Sequence, residues 1–370
     1  MVQRRRLRTL DSSGLVDYME SASCQNIVVL AGAGISVKAG IPDFRTMSNS
    51  VYNSQTDRYG LPSPQAMFDL DYFLHTSQAP FYDFCVRSLL PSASTRQPTV
   101  THHFLGLLES KGLLRRCYTQ NIDMLERLAG VTNEMIYEVH GTLKTASCAN
   151  ERCRRPTDGK SLFDKLRSGR RPTCDKCGSP QKPDIVFFGE KMPRKVQEQI
   201  KLDMPDMRKC DLLLVMGTSL AVQPFASFVD AVPRSTPRVF PSVRSEGSGR
   251  KGEYEDRGGG HAWGRCGNYR DLLLEGDCDK VVTGLCRDLG WLEELQGRVR
   301  EWGGEGEEER IFGGNRRGSS SNRKLTKEGR SRSDRSLTSS GGRVSPKGGK
   351  MKRSQSGGRL GGGGGASVWP

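Results

Sequence analysis

The chain has 370 residues, 35% of them hydrophobic, and a formal charge of +15. That size can bury a sizeable core, and no stretch approaches the roughly 18 consecutive apolar residues of a membrane span, so a soluble protein with no membrane partner is expected. The charge excludes less than it suggests: residues 314–370 hold 14 Lys or Arg against Glu328 and Asp334, a net +12, which leaves about +3 for residues 1–313.

Near the N-terminus, Arg4-Arg5-Arg6 and Arg8 give way to Asp11 without a long acid-free amphipathic stretch, weak material for a mitochondrial presequence. Cytoplasmic or nuclear localisation is expected over mitochondrial. Ile27 to Leu30 read as a buried strand of a parallel sheet, and Gly32 and Gly34 then free the backbone for close approach to a pyrophosphate. A hydride-transfer fold would continue as G-x-G-x-x-G and place its ribose-binding acid about 20 residues on. Here Val37 stands where the third glycine belongs, and Asp43 arrives early, behind Pro42 and beside Phe44 and Arg45. By itself the run fits either a nucleotide cradle or a tight strand-to-helix turn.

Farther along, Val100 to Ser110 read as a helix on which His102 and His103 cap or pack. Leu113 to Tyr118 form a second strand, followed by Thr119-Gln120-Asn121-Ile122-Asp123; Ile136 to Val139 lead into His140-Gly141; Asp211 to Met216 end in Gly217-Thr218-Ser219. Ligands of open α/β sheets bind at such carboxyl ends. Cys24, Cys85, Cys117 and Cys210 adjoin apolar segments and read as core thiols.

Cys148-x4-Cys153, twenty intervening residues and Cys174-x2-Cys177 can supply four thiolates to one tetrahedral zinc. Two disulfides or four free thiols are the other options, but nothing resembles a secretory signal. With four sulfurs the metal keeps no open position, so its role is structural. Asp184 to Glu190 alternate apolar and small residues and read as a strand, at an edge or in the core. The tail, rich in Gly, Ser and Arg, cannot offset its ordering entropy by burial and is expected to be disordered.

Taken in order, GAGIS with GIPDFR, TQNID, HG, KPDIVFFGE and GTSL resemble the sirtuin family of NAD-dependent protein deacylases. The likeness is greatest to the cytosolic and mitochondrial branch that removes acetyl groups from lysine. It runs from about Gly14 to Arg238 and resumes over about Tyr269 to Gln296. The resemblance implies an α/β fold, a Rossmann-like parallel sheet domain with a smaller inserted zinc-binding domain and a disordered C-terminal tail. The corresponding spans are 1–141 and 183–297 for the sheet domain, 142–182 for the insert and 298–370 for the tail.

It also implies NAD consumed as co-substrate, one structural Zn2+, acetylated lysine of histones or other proteins as substrate, and nicotinamide and O-acetyl-ADP-ribose as products. Carried onto these positions, His140 is the general base. Gly32, Ala33, Gly34, Ile35, Ser36, Asp43, Phe44, Arg45, Gln120, Asn121, Ile122, Asp123, Gly217, Thr218, Ser219 and Cys278 form the cofactor site. Val186, Phe187, Phe188, Gly189 and Glu190 face the substrate, pairing with its backbone as a strand. Cys148, Cys153, Cys174 and Cys177 hold the zinc.

Residues 240–267 depart from the family pattern. Pro241 is expected to interrupt a strand ladder, and no asparagine follows to meet the adenosine ribose. A mono-ADP-ribosyltransferase or long-chain deacylase using the same cleft, or a binding protein with weakened turnover, are the competing expectations. The basic tail is expected to add non-specific contact with nucleic acid or acidic surfaces.

Overall fold

A computed structural model of the chain describes residues 6–41, 56–89, 97–190, 198, 205–242 and 267–312. Expectations that fall on Asp43, Phe44, Arg45, on 243–266 and on 313–370 lie outside these residues. By internal contacts the chain divides into residues 1–314 and 315–370, and every described residue belongs to the first unit.

Helix α1 (Ser12–Met19) is capped by Asp11, whose side chain accepts the Gly14 N–H, and leads to strand β1 (Ile27–Ala31). Two short 3-10 turns, Ala33–Ile35 and Val37–Ala39, follow where a glycine-led helix would begin in a hydride-transfer fold. Helices α2 (Leu70–His75) and α3 (Ala79–Phe84) precede the longer α4 (Val100–Ser110). Then come β2 (Leu114–Thr119), α5 (Leu125–Leu128), β3 (Ile136–Glu138), β4 (Gly141–Cys148), β5 (Pro156–Asp158), α6 (Gly159–Arg167) and β6 (Gln181–Ile185). The chain continues with β7 (Leu212–Met216), α7 (Phe228–Ala231), β8 (Arg238–Ser242), β9 (Asp271–Glu275), α8 (Cys278–Asp288), α9 (Leu292–Gly303) and α10 (Glu305–Phe312).

Six strands form one sheet in the order β3-β2-β1-β7-β8-β9, with every pairing parallel. The chain leaves β1 to build one side and returns to β7 to build the other, so the space past Ala31 and Met216 is a topological switch point. All five β1 residues are buried, as a strand covered on both faces requires. Alternation divides them: Ile27, Val29 and Ala31 join a core with Phe104, Leu107 and Leu285, while Val28 and Leu30 join another with Tyr118, Phe225 and Phe228.

A three-stranded sheet, β5-β4-β6, is antiparallel, and Cys148 ends its central strand. Its core is larger than the expected insert over 142–182. Leu61, Phe68, Phe73, Phe81, Phe84 and Cys85 pack with Ala146, Leu162, Phe163, Leu166 and Phe187, so the 61–85 segment belongs to the same small lobe. A 41-residue insert with few apolar side chains gains its core from these earlier helices.

Two boundaries differ from expectation. Helices α9 and α10 carry regular structure to Phe312, past residue 298, because Leu295 and Val299 are buried on the sheet domain. Pro241 lies inside β8: pairing with β7 stops at Val239, yet pairing with β9 runs through Pro241↔Leu274 to Ser242↔Glu275, so that ladder is not interrupted. β8 and β9 are also joined by a buried ion pair, Arg238 to Asp271 at 2.6 Å, both side chains fully buried.

Candidate functional site

At the switch point three loops converge, and glycine is what lets them. An added Cβ on Gly34 would stand 2.6 Å from Gly217 Cα, and one on Gly32 would stand 2.7 Å from Thr218 Cβ and 2.9 Å from Gln120 Oε1. Gly217 itself adopts φ +65. The Gly34 N–H donates to Gly217 O at 2.8 Å and the Gly32 N–H to Met216 O at 3.0 Å. These two amides tie the loop after β1 to the end of β7 and the loop that follows it. Met124 and Leu220, non-glycine residues with φ 66 and φ 55, follow two of the site loops, and such conformations store roughly 1–3 kcal/mol each where the surroundings hold them.

Polar side chains line the junction in one connected set. Ser36 Oγ donates to Asp123 Oδ2 at 2.7 Å, and Asn121 Nδ2 donates to Gly32 O at 3.2 Å and lies 3.3 Å from Ser36 Oγ. The Asn121 N–H donates to Thr119 Oγ1 at 3.0 Å, and the Leu125 N–H to Asp123 Oδ1 at 3.0 Å. Thr218 Oγ1 donates to Gln120 Oε1 at 2.7 Å. Asn121 and Thr218 are buried; Ser219 and Ile122 are half-buried, and Ile122 packs on the small-lobe core. Amide, hydroxyl and carboxylate groups gathered at one strand-end junction suit the hydroxyls and carboxamide of a dinucleotide, so the residues present fit such a ligand.

His140 completes the junction. Its Nδ1 lies 3.0 Å from Gln120 O. A carbonyl oxygen only accepts, so Nδ1 carries the hydrogen and Nε2 is the basic nitrogen. Burial holds the imidazole pKa below its usual value, against the raising effect of that hydrogen bond. The neighbouring Gly141 has φ +90, and a Cβ there would lie 2.0 Å from Asp184 O, so the chain must pass β6 as glycine. On the far side, Cys278 opens α8 behind its cap Asp277, and its thiol lies by the Gly217 backbone. Lys38 anchors that helix start through Asp277 at 2.6 Å.

The expected substrate strand ends early. β6 stops at Ile185, and the following residues form a turn. The N–H groups of Val186, Phe188 and Glu190 donate to His140 O at 2.8 Å, Phe68 O at 2.8 Å and Phe187 O at 3.0 Å; the Phe187 N–H donates to Glu190 Oε2 at 3.1 Å. Phe187 is buried among Phe68, Phe73 and Phe81, its ring centroid 4.8 Å from that of Phe81. The Glu190 carboxylate, almost fully buried, faces Lys182 at 2.9 Å and Arg154 at 3.2 Å. It anchors the turn. Phe188 is 54% exposed, and Gly189 adopts φ +77.

The four expected metal ligands meet. The sulfurs of Cys148, Cys153, Cys174 and Cys177 lie within 4.8 Å of one another, with Cys148 to Cys177 at 3.5 Å and Cys153 to Cys174 at 3.8 Å. A tetrahedron with Zn–S of about 2.3 Å has S···S edges of about 3.8 Å. The donor set fits zinc and leaves no position for substrate.

Sequence reasoning missed what lies under the pocket. Thr119 Oγ1 donates to Glu126 Oε1 at 2.6 Å, and Glu126 is 1% exposed. His102 caps α4 with Thr99, as expected of a packing histidine, but it also reaches Asp123 and Glu126. Nothing in the local pattern marks Glu126, since an acid in a short Leu-Glu-Arg-Leu helix normally points to water.

A Sir2 family model matches residues 32–224. The chain is 42% identical over 293 residues to a protein named NAD-dependent protein deacetylase sirtuin-2 from Danio rerio, covering 79% of this chain and 75% of that one. It is 43% identical over 288 residues to NAD-dependent protein deacetylase sirtuin-3 from Mus musculus, covering 76% and 77%. To NAD-dependent protein deacetylase hst2 from Schizosaccharomyces pombe it is 37% identical over 282 residues, covering 76% and 77%.

Proposed function

The chain belongs to the Sir2 family, and from that premise we propose that it is an NAD-dependent protein-lysine deacetylase, releasing nicotinamide, O-acetyl-ADP-ribose and the free lysine. The observation that carries the reading is the neutral, oriented His140 beside the Ser36, Asn121 and Asp123 set at the carboxyl ends of a parallel sheet.

This set, with Gly217, Thr218, Ser219 and Cys278, would hold NAD, which would supply an activated ribose carbon when its bond to nicotinamide breaks. The chain's own part is to orient, to shield and to move one proton. Asn121 and Asp123 fix the nicotinamide and ribose end, with Ser36 held by Asp123. Gln120 has two tasks: its main-chain oxygen sets the His140 ring, and its side chain meets Thr218. His140 Nε2 then takes a proton from a ribose hydroxyl, allowing the adjacent hydroxyl to take over the acyl group. Water exclusion favours this over hydrolysis.

Acetyl-lysine of a protein substrate enters beside Val186, Phe187, Phe188, Gly189 and Glu190. With most N–H groups of that turn engaged, and Phe187 O and Phe188 O already accepting from the Glu190 and Leu70 N–H groups, the exposed Phe188 ring is left to meet the peptide. Histones and non-histone proteins both suit such recognition. The one structural zinc holds the small lobe. Cytoplasm and nucleus are the proposed compartments, and no helix among the described residues is long and apolar enough to cross a membrane. Non-specific contact of the basic tail with nucleic acid is part of the same proposal.

Purified protein incubated with an acetylated peptide and NAD should form O-acetyl-ADP-ribose detectable by mass spectrometry. Formation of free ADP-ribose alone, or ADP-ribose on protein without deacetylation, would replace this reading with hydrolysis or ADP-ribosyl transfer.

A further inference from the structure

Under the 119–123 loop lies a buried acid with no evident partner for its proton. Glu126, on α5, accepts from Thr119 Oγ1 at 2.6 Å. One oxygen each of Glu126 and Asp123 and one ring nitrogen of His102 lie within 4.8 Å of one another. His102 comes from α4 and is fully buried; its Nδ1 is engaged by Thr99, at 2.8 Å from the hydroxyl and 3.1 Å from the main-chain N–H. Its Nε2 has no hydrogen-bond partner.

Three further elements face the cluster. β3 contributes Glu138, paired with Arg127 of α5 at 2.8 Å; β2 contributes the buried thiol of Cys117; α8 contributes Asp279, which acts on His102. Burial first, then the charge of Asp123, pushes Glu126 up to about 8, and burial pushes His102 down to about 3. Two carboxylates this close in a buried site do not both ionise. The Thr99 N–H donates to His102 Nδ1, so the neutral ring carries its hydrogen on Nε2 and needs no donor from Glu126; a protonated Glu126 removes one of the two charges and offers its O–H to the Asp123 carboxylate.

We propose that Glu126 is a positioning residue for the cofactor: kept as a neutral carboxylic acid, it donates a hydrogen bond to the neighbouring Asp123 carboxylate and so holds Asp123, and Ser36 through Asp123, in place. The inference rests on the reading of the pocket as an NAD site. Glu126 touches neither substrate nor cofactor. It acts through Asp123, and ionising it sets a second negative charge beside the first.

The test compares the parent with Glu126→Gln, which keeps a donor but cannot ionise, and Glu126→Leu, which keeps volume without a donor. The parental kcat/KM for NAD should fall roughly tenfold from its plateau by one pH unit above the Glu126 value, while Glu126→Gln stays flat over that range. Glu126→Leu should raise the KM for NAD at least about tenfold, the loss of a buried hydrogen bond, with a smaller change in kcat.

The proposal is overturned if Glu126→Gln keeps the parental alkaline fall, or if Glu126→Leu folds and binds NAD as the parent does. Should Glu126→Leu not fold, the pH profile of Glu126→Gln decides alone. Metal analysis finding a second ion per chain beyond the four-cysteine site would also overturn it, placing a cation where the proton is assigned. If even the parent shows no NAD-dependent deacetylation, the functional reading fails separately, and NAD binding by calorimetry across pH on the same three proteins still judges Glu126.

Discussion

His140, at the end of β3, is set by Gln120, at the end of β2: the imidazole Nδ1 stands 3.0 Å from the Gln120 main-chain oxygen. Because the acceptor is backbone, substitution of the Gln120 side chain leaves the tautomer intact, and the basic nitrogen is fixed by the sheet itself. His140→Ala should cut deacetylation by at least about 100-fold, the low end for a positioned general base, while retaining the fold and much of the NAD affinity. Since burial holds His140 below the usual histidine value, the acid limb of kcat should lie below pH 6.5. A steady-state pH profile checks this, and a variant at parental rate would remove His140 from the mechanism.

Gly34→Ala tests the loop junction. The new methyl, fixed to the Gly34 backbone, meets Gly217 Cα at 2.6 Å, a main-chain atom that cannot rotate away. Overpacking of this kind costs about 1–3 kcal/mol, and here it falls on the cradle, so NAD affinity should weaken roughly ten- to a hundredfold by isothermal titration. Gly112→Ala, where φ is +70 but open space surrounds the glycine, serves as control: strain without loss of affinity.

Much of this was legible in the chain. The five apolar residues of β1, the polar tips at Gln120, His140 and Thr218, and the cysteine spacing each report a local requirement that one segment states alone. What the sequence hid depends on contacts between distant segments. That Phe68 and Phe73 share a core with Phe187, or that the Phe188 N–H is already taken by Phe68 O, has no local periodicity to announce it. The same holds for Pro241, whose ladder with β9 is set by which neighbour pairs on which side.

Cys174→Ser should release the metal and unfold the small lobe. The four thiols are spaced for zinc, and ligand binding there is also folding free energy. Because the lobe also draws on Phe68, Phe73 and Phe81, its loss should reach the Phe187 turn and lower activity without any sulfur touching substrate. Inductively coupled plasma mass spectrometry should find about one zinc per parental chain and less than that in the variant. A fully active variant with parental thermal stability would show that the site does not support the fold.

Glu126 and the buried histidines should pull stability in opposite directions with pH. The folded value of Glu126 is raised from 4.5 to about 8, so the acid is neutral in the fold but ionised in the unfolded chain between those limits. Its contribution is fully present below pH 4.5 and is lost as pH rises to about 8. His102 and His103, pushed from 6.5 down to about 3 and about 4, contribute stability above pH 6.5 that is lost on acidification. Between pH 8 and 6.5 Glu126 dominates of the three, so its share of stability should rise as pH falls; below that the histidines oppose it. Glu126→Gln removes only the first effect. Its Tm relative to the parent should therefore be highest above pH 8 and decline steadily toward pH 4.5, as measured by scanning calorimetry. A Tm difference independent of pH would mean that Glu126 titrates alike in the folded and unfolded chain.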